Sequence, residues 1–164
     1  MSVFLRFIGG GLLVLSAALA SNAYSEYAKR RLSQYSGLIA LLSHAEGMIS
    51  RFLSSGDGLW RSFKNEELER VGFLPLLWGG SSLKDAFTEC SGNFVLSPEA
   101  IERIKEFFSA VGSNYMEGEV ASLSAFRDKL EEERGSEEER LEKNVKVARA
   151  LLLGGSLAFV IMII

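Results

Sequence analysis

The sequence predicts an all-α protein, a small helical bundle between an N-terminal and a C-terminal transmembrane helix. Three observations carry that expectation. Both extremities are apolar and uncharged, Phe7–Ala20 (FIGGGLLVLSAALA) and Ala150–Ile164 (ALLLGGSLAFVIMII). Between them lie nearly all the charged residues, with apolar positions recurring at three- and four-residue steps. No stretch shows the two-residue alternation of a half-buried strand. The expected organisation is a membrane helix over 1–23, a cytoplasmic helical domain over 24–149 and a second membrane helix over 150–164.

The first helix is expected to continue from the apolar start through Tyr24 to about Leu53. Leu32, Tyr35, Ile39, Leu42, Ala45, Ile49 and Phe52 fall on one of its faces. Gly56-Asp57-Gly58 breaks it. A short helix follows over Trp60 to Arg70, presenting Trp60, Phe63 and Leu68, and Phe73 to Trp78 is a brief helical turn or ordered loop ending at Gly79-Gly80. Ser82 with Asp85 three residues on resembles a capping box and opens a helix through Leu83, Ala86 and Phe87 to Cys90. Ser97-Pro98-Glu99 is a stronger start: a capping hydroxyl, proline at the first helical position and an acid near the positive helix end. That helix buries Ile101, Ile104, Phe107, Phe108 and Val111, and Gly112 stops it. A long final helix begins near Glu117 with the stripe Val120, Leu123, Phe126 and Leu130. Its acidic stretch EEERGSEEERLEKN can form ion pairs at helical spacing and reads as a solvated coiled-coil-like segment.

Each uncharged end is about 14 or 15 residues, shorter than the roughly 20 of a typical crossing. The first is lengthened by Val3, Phe4 and Leu5, with Arg6 able to reach the interface. Lys29, Arg30 and Arg31 follow it, and Lys143, Lys146 and Arg149 precede the second. By the positive-inside rule both flanks hold the middle in the cytoplasm. Gly9, Gly10 and Gly11, with Gly154 and Ala158, are candidates for close helix packing in the membrane. Rival readings are a secreted protein cut after Ala20 or Ala23, and two buried core helices.

Composition narrows function. The chain has 164 residues, 18 basic and 21 acidic, for a net charge of −3. Such a balance lacks the basic face nucleic acid requires. One cysteine, Cys90, permits no internal disulfide, and one histidine, His44, builds no histidine-rich metal site. No phosphate-binding loop exists, and no cofactor is expected. His44 lacks a recognisable nucleophile and orienting group, and Cys90 reads as a small buried hydrophobe. A carboxylate enzyme using Glu46 with Glu99 is a weaker rival to a non-catalytic scaffold in a bacterial envelope machine.

Several passages together resemble the stage III sporulation protein AB family of endospore-forming bacteria. They are FLRFIGGGLLVL with the following Tyr27-Ala28-Lys29-Arg30-Arg31, and Leu41 to Ile49. Further along come Ser82 to Phe87, Ser97 to Gly112, and Glu142 to Arg149 running into the apolar tail. The chain departs from the family pattern at Gly118–Ser124, which carries no glutamine. The resemblance implies a soluble domain similar to the platform proteins of type II secretion, placed in the mother-cell membrane. It also implies partners: a secretion-type ATPase (the AA component), other membrane proteins of the mother cell–forespore channel, the lipid bilayer, and an oligomeric setting.

Overall fold

Side-chain caps set the start of three of the described helices. The computed structural model describes residues 3–52, 58–111 and 116–163, and every regular element among them is helical. They are α1 (Val3–Phe52), α2 (Gly58–Arg61), α3 (Glu66–Arg70), α4 (Phe73–Trp78), α5 (Leu83–Cys90), a 3-10 turn (Ser91–Asn93), α6 (Pro98–Ala110) and α7 (Met116–Ile163). The Gly56-Asp57-Gly58 break falls mainly outside the described residues, as does the Gly112 stop.

Ser97 caps α6, accepting from the Ala100 N–H at 3.2 Å, with Pro98 at the first position. Ser82 caps α5 by accepting from the Asp85 N–H at 3.1 Å. The reciprocal half of the expected box differs: the Ser82 hydroxyl donates to Asp85 Oδ2 at 2.7 Å. Aspartate is one methylene shorter than the usual glutamate, and its carboxylate takes the nearer hydroxyl proton. The single helix expected over Trp60 to Arg70 is two, because Asn65 caps a new start by accepting from the Leu68 N–H at 3.0 Å.

Contact clustering divides the chain into two compact units: Arg30–Gly135, and Met1–Lys29 with Ser136–Ile164. The core of Arg30–Gly135 is built around Phe73. That ring stacks on Phe108 at 5.9 Å and meets Phe87 and Phe94 edge-on at 5.8 and 6.3 Å. Tyr35, Leu38, Leu41, Leu42 and Ala45 of α1, Leu68 of α3, Leu74 of α4, Ile104 of α6 and Leu123 of α7 complete it. The inward face of α1 is wider than its periodicity indicates. Leu38 and Leu41 are fully buried, whereas Leu32, Ile39 and Ile49 are only half-buried. The cause is close approach by α3: a Cβ at Gly37 would stand 2.9 Å from Asn65 Oδ1 and 3.0 Å from Leu68 Cγ. The Phe107 and Phe126 rings stack at 3.9 Å, joining α6 to α7.

The other unit reverses the usual order of sizes. Ala17, Ser21 and Ala28 of α1 are buried, as is Leu141 of α7. Leu12, Leu15, Leu19, Tyr27, Val147, Leu151 and Ile161 are exposed, Leu19 at 62% and Ile161 at 77%. Small residues permit close backbone approach, and these seven large ones point outward. Among the described residues, no helix is long and apolar enough to cross a membrane. The two crossings expected from the sequence over 1–23 and 150–164 are therefore not shown by the described residues.

Candidate functional surface

The exposed apolar faces of the chain ends form the first part of the candidate surface. Leu12, Leu15 and Leu19 are three and four residues apart, so they share one face of α1, opposite Ala17 and Ser21. All the exposed large hydrophobics among the described residues lie in the unit made by the chain ends, and none in Arg30–Gly135. A contiguous exposed apolar face of this kind marks an interaction site rather than a soluble surface.

The second part is a set of polar ties within Arg30–Gly135. Glu67 of α3 is buried, and its Oε1 accepts from Arg30 Nε at 3.2 Å and from Gln34 Nε2 at 3.0 Å. Its other oxygen pairs with the Arg70 guanidinium. Gln34 is itself fully buried, and its carbonyl accepts from the Val95 N–H at 2.7 Å, just ahead of the α6 cap. Burial of a carboxylate is tolerable here because each oxygen has a cationic partner. Elsewhere, Arg127 Nη1 of α7 meets Glu46 Oε2 of α1 at 2.5 Å, and Arg103 of α6 meets Glu133 of α7 at 2.9 Å. Sequence reasoning missed Gln34 and Glu67. The one signal available was a glutamine next to Tyr35 on the inward side of α1.

The basic residues divide by role. Lys29 is exposed and pairs with Glu26 at 2.8 Å. Arg30 is taken into the Glu67 cluster, and Arg31 is buried, so neither is simply a surface cation. Lys143 pairs with Glu139 at 2.7 Å and Lys146 with Glu142 at 3.5 Å, both at helical spacing, while Arg149 is exposed. Of the acidic-stretch pairs, Glu137 with Arg140 is present at 3.5 Å. At the packing candidates, a Cβ on Gly9, Gly11 or Gly154 meets nothing within 4 Å, and Ala158 is exposed. Gly10 is half-buried. Ala17, Ser21 and Ala28 are the small residues that lie inward instead.

The reactive side chains are occupied structurally. His44 Nε2 lies 3.2 Å from Ser62 Oγ, and its ring packs on Phe63 at 5.3 Å. Cys90 is buried with its thiol directed at the Phe87 carbonyl at 3.8 Å, and burial pushes that thiol up to about 11. Glu46 is held by Arg127, while Glu99 is exposed in the first turn of α6. Among the described residues, no group of three or more His, Cys, Asp or Glu could hold a metal ion.

Fold and surface together define a class: an all-helical protein whose charged body is tied internally by ion pairs and whose chain ends turn large apolar side chains outward. The family model for stage III sporulation protein AB matches residues 79–164, just over half of the chain, and the chain belongs to that family. The match takes in α5, α6, α7 and the apolar tail, including the Ser82 and Ser97 starts. No curated protein and no solved structure matches the chain.

Proposed function

We propose that this sporulation protein is a non-enzymatic membrane adaptor of the mother cell–forespore channel complex. In this reading both apolar ends are fastened in the mother-cell membrane, and the charged middle faces the mother-cell cytoplasm. There it couples a cytoplasmic secretion-type ATPase to the membrane components of the channel.

One observation carries the membrane part: among the described residues, the exposed large hydrophobics are confined to the two chain ends. In water, fully burying side chains of this kind is worth roughly 1.5–3 kcal/mol each, so a bilayer is their natural surrounding. Val3, Phe4 and Leu5 extend the first end, with Arg6 at the interface, and Tyr24 and Tyr27 are suited to the opposite boundary. The basic flanks support the cytoplasmic orientation of the middle. Family membership supports the sporulation setting, and the ATPase partner comes with the resemblance to that family.

The test is co-purification of the full chain, in detergent, with a secretion-type ATPase from sporulating cells. Retention of the ATPase is expected, and it is lost when the middle domain is replaced by an unrelated helical bundle between the same ends. An ATPase that never co-purifies, or a middle domain protected from protease added on the cytoplasmic side, contradicts the reading.

A further inference from the structure

Gln34 is an unusual residue to find at complete burial on a helix that otherwise contributes Tyr35, Leu38, Leu41 and Leu42 to the core. Its side chain has four hydrogen-bonding capacities, and a hydrophobic residue of similar size would avoid desolvating them. It is satisfied from two sides. The amide nitrogen donates to Glu67 Oε1 at 3.0 Å, and the amide oxygen accepts from the Val95 N–H at 2.7 Å. The partners also fix the orientation of the amide, since a carboxylate demands the nitrogen and a backbone N–H demands the oxygen. The two contacts lie 33 and 61 residues away in sequence, on different elements.

What those contacts hold is specific. Val95 stands between Phe94, whose ring belongs to the Phe73 cluster, and Ser97, which caps α6. Glu67 lies in the first turn of the short helix α3, which also leans on α1 at Gly37 and carries Arg70 to the Glu67 carboxylate. Arg30, one turn before Gln34 on α1, donates to the same Glu67 oxygen. The segment Phe94 to Ser97 is not in a helix, and the Gln34 carbonyl, accepting from the Val95 N–H at 2.7 Å, ties it to α1.

We infer that Gln34 is a two-ended clamp that couples the axial position of α1 to the start of α6 through Glu67 on one side and the Val95 amide on the other. A shift of α1 along its axis by one residue, about 1.5 Å, carries Gln34 beyond hydrogen-bond reach of one partner or the other. The buried groups left behind make the intermediate positions costly, so the clamp has a closed and a released arrangement rather than a continuum. In the released arrangement the Phe94–Ser97 segment loses this hydrogen bond to α1, and the first turn of α6 loosens with it. As α1 is the helix that continues into the apolar end, the clamp gives displacements of that end a route to α6. This last step rests on the proposed membrane function; the clamp itself does not.

Amide hydrogen exchange of the full chain in detergent micelles tests it, comparing wild type with Gln34→Leu, Gln34→Glu and the exchanged pair Gln34→Glu/Glu67→Gln. Gln34→Leu should raise exchange at Val95 and in the first turn of α6 by about tenfold, with Leu123 and Leu130 of α7 unchanged. Gln34→Glu should do the same more strongly, since it sets a second carboxylate against Glu67. The exchanged pair restores one acid and one amide and should return Val95 protection towards wild type. A rise spread evenly over α1, α6 and α7 reports lost global stability and overturns the clamp, as does an unchanged Val95. If the single variants do not fold, the exchanged pair decides alone: folding with wild-type protection at Val95 supports the clamp, and failure to fold removes it. Membrane attachment is read separately, by vesicle flotation of the same samples, so failure of one claim is not mistaken for failure of the other.

Discussion

Arg127 of α7 reaches Glu46 of α1 with 2.5 Å between Nη1 and Oε2, although 81 residues separate them. The same guanidinium bonds Asp128 Oδ1 at 2.8 Å from Nη2 and Ser124 Oγ at 3.3 Å, so a single side chain joins the two long helices while remaining held on its own. The hydrogen bond to Asp128, then the nearby charges of Glu46, Asp128 and Glu131, raise the Arg127 pKa above its ordinary value.

Removing this tie should weaken the bundle modestly. Both side chains are 25% exposed, which puts their coupling at about 1 kcal/mol or less. A double-mutant cycle with Arg127→Ala and Glu46→Ala, read by urea unfolding, measures it directly. Because the arginine is raised, its contribution is present at every pH below its ordinary value and fades only at extreme alkalinity. The cycle should therefore give the same coupling at pH 6 and pH 8 but a smaller one in high salt.

Cys90 gives the alkaline signature. Its thiol is raised from 9.0 to about 11, chiefly by burial. A raised acid of this kind contributes stability that is complete below about pH 9 and is lost as pH climbs towards about 11. Thiol-directed labelling at pH 8 should be slow in the native protein and fast in denaturant. Cys90→Ala should remove that alkaline loss of stability, as followed by thermal unfolding across the same range.

Two glycines should respond in opposite directions. Gly37→Ala places a methyl 2.9 Å from Asn65 Oδ1 and 3.0 Å from Leu68 Cγ, and should cost about 1–3 kcal/mol by forcing α3 away. Gly135→Ala, inside α7 with nothing within 4 Å, should gain up to about 1 kcal/mol from helix propensity alone. Differential scanning calorimetry of the two variants separates them by sign.

Phe73 should be the costliest truncation in the body. Its ring touches those of Phe87, Phe94 and Phe108, and it is fully buried. Phe73→Ala should cost about 3–5 kcal/mol in chemical denaturation, against less than about 1 kcal/mol for exposed Glu102→Ala.

Much of the helix map was legible because its signals are local. Ser82 and Ser97 cap within three residues of themselves, and Pro98 marks the first helical position. The break at Asn65 was harder, since Trp60 to Arg70 has apolar positions that suit one continuous helix and only the cap geometry separates two. Glu67 and Gln34 were not legible at all. In sequence they are a polar residue in a helical turn and another among apolar neighbours, and their meaning arises only when 33 residues of chain fold back. At the chain ends, a Cβ at Gly9 or Gly11 meets nothing within 4 Å of this chain, and the buried small residues are Ala17, Ser21 and Ala28. A run that is apolar all round hides which of its faces is turned inward.

The most direct test of the central claim is alkaline carbonate extraction of membranes from sporulating cells, with the native full-length chain followed in both fractions. Anchoring by the apolar faces of Leu12, Leu15, Leu19 and Leu151 predicts that the protein sediments with the bilayer, and that Leu15→Glu with Leu19→Glu releases it. Recovery of the unaltered protein in the supernatant as a stable monomer would contradict the account.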